Sequence, residues 1–200
     1  DVAINTEGSY LEQRAGRKMM SAMHGMWSLG GMVGASIGAW RMATACVDDP
    51  DSALRRLAEG YIEQSYPHAP GKTPKARDVS RVFADVLDAG LGRQAARILA
   101  HPRFRLHVIT SRGRHIMRRE GRLSTPLGYL GAYATNFFSR RAMGGWLERV
   151  MFSDAREPLP FALHDFRTKQ DALDAANLLP SILASGSIPF WLDAVHDIPG

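Results

Sequence analysis

One cysteine in 200 residues, Cys46, leaves no partner for an internal disulfide, which excludes the cross-linked frameworks of small secreted domains. No C-x-x-C or H-E-x-x-H step occurs. His101, His107 and His115 stand among arginines, where a cation would be repelled, so neither a metal centre nor a cofactor is expected. Repeats and low-complexity tracts are also missing. The chain opens Asp1-Val2-Ala3-Ile4-Asn5 with no basic stretch ahead of an apolar core, so no signal peptide is read. Both ends, including the loop-like His196-Asp197-Ile198-Pro199-Gly200, read as the interior of a longer protein, and a fragment is expected.

What is present fits a folded domain. The hydrophobic fraction is 45% and the charged fraction 22%, values of a chain that buries a core. The net charge of +5 is unevenly spread. Seven arginines (103, 105, 112, 114, 118, 119 and 122) face Glu120 alone between His101 and Arg122, whereas the last fifty residues are acidic. Such a stripe serves as a solvated face, or meets anionic lipid or nucleic acid. The Arg112-Gly113-Arg114 and Arg118-Arg119 cluster lacks interleaved stacking aromatics, so no nucleic-acid partner is expected.

Met19 to Trp40 carries no Asp, Glu, Lys or Arg. It is long enough on paper to span a bilayer, but His24, its serines and its glycines dilute the apolar content. A buried strand followed by a glycine-rich turn fits it equally. Beyond Trp40 the pattern alternates helices with few strands. Asp51 or Ser52 is expected to cap a helix bearing Leu54, Leu57, Ala58, Tyr61 and Ile62. A second helix carries Val79, Val82, Phe83, Val86 and Leu87 and stops near Gly90. A short third runs from Arg93 to Ala100. Phe104 to Thr110 alternates Phe104, Leu106 and Val108 against Arg105 and His107, which predicts a strand buried on the leucine and valine side. Helical spacing of Met143, Trp146, Leu147 and Val150 predicts a helix over Ser139–Phe152. A last helix starts at Asp174 or Asn177, with Pro180 tolerated in its first turn. Trp40, Trp146 and Trp191 are expected in the core or at its rim. Ser185 and Ser187 read as a helix end and turn. The class is α/β.

The motif that carries chemistry is Gly34-Ala35-Ser36-Ile37-Gly38, a G-x-S-x-G match. Its physical logic is a sharp strand-to-helix turn that lifts the serine out of the sheet in a strained conformation. Gly34 and Gly38 are small because strand and helix backbones nearly touch there. The Ile37 amide then points at a developing oxyanion, helped by the positive helix terminus. Ser36 is the candidate nucleophile.

Gly34-Ala-Ser-Ile-Gly-Ala-Trp-Arg41, Tyr61-Ile-Glu-Gln-Ser-Tyr66, His101-Pro-Arg-Phe-Arg-Leu-His-Val108, Ser139-Arg-Arg-Ala142, Ala184-Ser-Gly-Ser-Ile-Pro189 and the closing Val195–Gly200 resemble, in that order, a bacterial branch of the patatin-like phospholipases. The resemblance implies a patatin-like three-layer sandwich with a mainly parallel sheet over residues 34–200. It also implies hydrolysis of lipid acyl esters through a Ser–Asp dyad, in which Ser36 matches the nucleophile. The expected partner is a lipid or acyl-ester substrate at a membrane surface, and the expected location cytoplasmic or membrane-associated. The family's aspartate lies in an Asp-Gly-Gly or Asp-Gly-Ala step. No such step occurs here, since Asp197 is followed by Ile-Pro, so the base is expected beyond Gly200 and residues 1–200 are expected to be inactive alone. No glycine-rich oxyanion loop precedes Ser36. Residues 1–38 instead resemble a segment of major facilitator superfamily transporters, through Asp1-Val-Ala-Ile-Asn5, Glu12, Gly16-Arg17 and His24–Gly31, and residues 1–33 are set apart as a transporter-like N-terminal segment. That resemblance implies a helical hydrophobic segment of foreign origin, overlapping Gly34–Ala39. A transporter fragment and a catalytically inactive lipid-binding remnant are the alternative readings.

Overall fold

A computed structural model describes residues 31–139, 141–157, 159, 163 and 167–200. The transporter-like stretch up to residue 30, with His24, lies outside the described residues. An α/β fold is present. Four strands, β1 (Gly31–Ala35), β2 (Arg105–Gly113), β3 (Leu147–Ser153) and β4 (Thr168–Ala172), form one sheet in that spatial order. β1 and β2 are parallel, β2 and β3 antiparallel, and β3 and β4 parallel. Two of the three pairings are therefore parallel. The boundary drawn at residue 33 falls inside β1, whose Gly31 is opposite Arg105 and whose Ala35 is opposite Ile109.

Helices α1 (Ile37–Ala45), α2 (Pro50–Ile62), α3 (Ala76–Leu91) and α4 (Ala95–Leu99) occupy the crossover from β1 to β2. Parallel neighbours need such a connection, because a tight turn cannot reverse the chain twice. Helix α5 (Ser124–Phe138) links β2 to β3, and α6 (Leu178–Gly186) follows β4. One face of the sheet, carrying Met32, Leu106, Val108, Val150 and Phe152, packs on Ala39, Trp40 and Ala43 of α1, Leu87 and Leu91 of α3, and Leu178 and Ile182 of α6. Burial of this apolar surface is the main favourable term in folding. Trp40 meets Phe83 edge-on at 5.8 Å between ring centroids.

The expected strand over Phe104–Thr110 is β2, with Leu106 and Val108 fully buried. Its opposite face is buried too, at His107. Other expectations need correction. Ser139–Phe152 is not a helix: its second half is β3, entered from a 3₁₀ turn at Ala142–Gly145. Gly144-Gly145 weakens helix propagation, and β3 is buried at Val150, Met151 and Phe152, on both faces, so period-two alternation is lost. The cap of α2 is Asp49, whose carboxylate accepts from the Ser52 amide, and not Asp51 or Ser52. Trp191 is exposed, whereas Trp40 is buried and Trp146 half-buried.

Polar burial is mostly matched. Glu148 of β3 accepts from Arg112 Nε at 3.0 Å and from Arg167 Nε at 2.8 Å. Burial raises its carboxyl, but those guanidinium hydrogen bonds outweigh it and hold the pKa below the ordinary range. His107 is different. Its Nδ1 is buried and has no hydrogen-bond partner among the described residues, and burial lowers its pKa, only partly offset by Asp154 and Glu157. Above an imidazole pKa of about 6.5 both folded and unfolded forms are neutral. Below it the unfolded chain takes the proton first, so stability falls as pH falls. Urea unfolding is expected to show this acid limb below about pH 6.5, at no more than about 1.4 kcal/mol per pH unit for one proton. His101 shifts the same way, so the His107 share is the part that disappears in His107→Leu. An unchanged limb in that variant would assign the proton elsewhere.

Candidate functional site

Ser36 stands where β1 ends and α1 begins, as the N-cap of α1. Its backbone is at φ 54 and ψ −138, a left-handed region that residues with a Cβ rarely enter. Such strain persists only when the surroundings enforce it, and it concentrates at working sites. Three contacts enforce it here. The Ala39 amide donates to the Ser36 carbonyl at 2.9 Å, closing the turn. The Ser36 amide donates to Ser185 Oγ at 2.8 Å. Ser185 Oγ in turn donates to the Ile109 carbonyl at 2.6 Å. The last turn of α6 therefore ties the elbow to the neighbouring strand.

Gly34 has the role expected of it. A Cβ there would lie 2.5 Å from Ala39 Cα and 2.7 Å from Ala39 N, so α1 leaves the strand across a bare glycine backbone. Gly38 does not share that role: a Cβ at that position meets nothing within 4 Å among the described residues. The close approach falls entirely on the glycine before the serine. Ile37, the first residue of α1, is half-buried and packs against the core. Its amide, like every first-turn amide, has no carbonyl four residues back within the helix. Ser36 itself is exposed. A hydroxyl on a raised turn, beside the amide end of a nine-residue helix, is placed to attack an incoming carbonyl and share the resulting charge with backbone N–H groups.

Among the described residues no carboxylate or imidazole is hydrogen-bonded to Ser36. The chain end lies across the sheet: Gly200 packs near Asp171 of β4, and β4 is three strands from β1. Cys46 offers no substitute nucleophile, because burial, with Asp154 nearby, pushes its thiol up to about 12. Three or more His, Cys, Asp or Glu side chains grouped to hold a metal do not occur among the described residues. Of the basic stripe, Arg112 is paired with Glu148 and Arg114 donates to the Gly144 carbonyl.

Sequence reasoning missed Ser185. It read as a helix end, and it is one, but its hydroxyl also accepts from the Ser36 amide and holds that turn. Ser185→Ala is expected to cost about 1 kcal/mol, the usual worth of a lost hydrogen bond. It should also raise hydrogen exchange at the Ser36 amide specifically, with protection restored in Ser185→Thr. Exchange at Ser36 that does not respond would detach Ser185 from the elbow.

Compared with protein-family models, with curated proteins and with solved structures, the chain matches none.

Proposed function

We propose that the chain is part of a serine-dependent lipid acyl hydrolase of the patatin-like type, with Ser36 as nucleophile. The single observation that carries this is the strained Ser36 backbone at a strand-to-helix turn, packed across Gly34. The mainly parallel sheet with a helical layer on one face is compatible with the three-layer architecture of that family. Gly31–Ala35 is a strand paired with β2, which supports reading the sequence shared by the two resemblances as an elbow. Among the described residues no helix is long and apolar enough to cross a membrane.

Ser36 Oγ attacks the ester carbonyl, and its proton passes to an aspartate outside residues 1–200. The oxyanion is held by the Ile37 amide at the helix start. The alcohol leaves with that proton; water then attacks the acyl-serine and gives a proton to the same base, which passes it to Ser36 Oγ as the acyl–oxygen bond breaks and the free carboxylic acid leaves. No base is hydrogen-bonded to Ser36 among the described residues, which favours one other reading, an inactive lipid-binding remnant. The discriminating test is p-nitrophenyl ester hydrolysis by residues 1–200, by a chain continued past Gly200 through an Asp-Gly-Gly step, and by Ser36→Ala in each. Turnover that requires both the continuation and Ser36 supports the hydrolase. No turnover in any form leaves the remnant.

A further inference from the structure

Helix α5 is turned inside out relative to an ordinary amphipathic helix. Its small residues face inward: Gly128 and Ala132 are buried, and a Cβ on Gly131 would strike the Trp146 ring. Its large residues face out. Leu123, just ahead of the helix, and Leu127, Leu130, Tyr133, Phe137 and Phe138 are between 59% and 86% exposed. From Leu123 to Phe137 they recur at three- and four-residue spacing and therefore share one side, with Phe138 next to Phe137 at its edge. Phe190 and Trp191 extend the patch, since Phe190 contacts Tyr129 of α5 at 5.8 Å between ring centroids. Glu120 accepts from the Ala194 amide, tying the same loop to the start of α5. Monomeric proteins rarely leave so large an apolar surface uncovered.

Charge indicates what covers it. Leu123 to Ser139 is uncharged, and arginines stand at both ends: Arg118, Arg119 and Arg122 before, Arg140 and Arg141 after. Between Ser111 and Leu147 seven arginines face Glu120 alone. Arg118, Arg119, Arg122 and Arg141 are exposed, and none forms an ion pair among the described residues. Fifteen helical residues span about 22 Å, short of a hydrocarbon core of about 30 Å. An apolar helix of this length with cations at both ends and aromatic rings on its face lies in an interface and does not cross it. Along the chain, Ser185, which bonds Ser36, is followed within six residues by the exposed Ile188, Phe190 and Trp191.

We infer that the outer face of α5, with Phe190 and Trp191, docks on an anionic phospholipid surface, its arginines on the headgroups. This extends the reading of Ser36 as a lipid hydrolase to the surface that supplies its substrate, but the docking does not require Ser36. The test is cosedimentation of the full chain with phosphatidylcholine vesicles, with and without phosphatidylserine. Binding is expected only with phosphatidylserine and should weaken as salt rises. The triple change Arg118→Gln, Arg119→Gln, Arg122→Gln is expected to weaken it on the order of a hundredfold. Leu130→Ser with Phe137→Ser is expected to weaken it at least about tenfold. These side chains are exposed, and an unchanged circular dichroism spectrum checks that the fold is kept. Ser36→Ala should bind as the parent does. If it binds while ester hydrolysis never depends on Ser36, the catalytic reading fails and the docking stands. Three outcomes overturn the docking: no dependence on phosphatidylserine; a dimer, lost in the Leu130 and Phe137 variant, in place of vesicle binding; or vesicle binding that appears only after residues 1–30 are removed.

Discussion

Ser36→Ala is expected to lower ester hydrolysis by about 10⁴-fold or more in a chain that carries the dyad aspartate, whereas residues 1–200 alone should be nearly inactive with or without the change. The first part follows from the chemistry of a covalent route. Deleting the attacking oxygen removes the acyl-enzyme path, so only transition-state binding remains, and effects of groups that act as a unit are not additive. The second part follows from the base. A serine hydroxyl at neutral pH is a weak nucleophile, and general-base assistance supplies about 10² to 10⁴ in rate. Among the described residues no carboxylate or imidazole is bonded to Ser36, and Gly200 packs near Asp171, three strands away from β1. In the proposed mechanism the Ile37 amide is one oxyanion donor, and loss of a second would cost about another 10² to 10³. Robust turnover by residues 1–200 that vanishes in Ser36→Ala would show that a base is already present in this chain. Equal turnover by the continued chain and its Ser36→Ala form would remove Ser36 from the chemistry.

The elbow was legible in the sequence because its requirement is local. A glycine two residues before a serine, between an apolar run and a helix start, specifies a turn with little help from distant residues. The strand β2 was legible for a related reason, since Leu106 and Val108 alternate with polar neighbours. Failures came where burial is two-sided or inverted. β3 buries Val150 and Phe152 on one face and Met151 on the other, so its apolar run carries no strand period and its residues also matched a helical spacing by accident. Helix α5 was not anticipated at all. It contains Gly128 and Gly131, which lower helix propensity, and it directs its large apolar side chains away from the fold. Ser185 was beyond sequence reach for another reason: its partners, Ser36 and Ile109, are 149 and 76 residues away along the chain. Nothing about a serine at a helix end announces a long-range tie of that kind.

The two glycines of the elbow look alike in sequence, and the structure separates them into opposite outcomes. A Cβ at Gly34 would sit 2.5 Å from Ala39 Cα, 2.7 Å from Ala39 N and 2.9 Å from Gly38 C. All three are backbone atoms of the chain entering α1, so no side chain can swing aside to make room. Relief requires α1 to move off β1, and α1 carries Ala39, Trp40 and Ala43 of the core. Gly34→Ala is therefore expected to cost about 1 to 3 kcal/mol, the range for overpacking a close-packed interior, and Gly34→Val more. Opening the turn also relaxes the Ser36 backbone, so in a chain with the dyad aspartate the rate should fall further than stability alone explains. A misplacement of about 1 Å is enough to cost about a hundredfold. Gly38 lies in the first turn of α1 with open space around it, and its backbone needs no left-handed conformation. Gly38→Ala is expected to be neutral or to stabilise by up to about 1 kcal/mol, through the helix preference of alanine and the smaller freedom of the unfolded chain. Chemical denaturation of the two variants side by side measures the contrast. If Gly34→Ala unfolds at the same denaturant concentration as the parent, β1 and α1 do not meet as closely as the elbow demands. If Gly38→Ala is the damaging one, the contact that requires glycine lies on the helix side of Ser36.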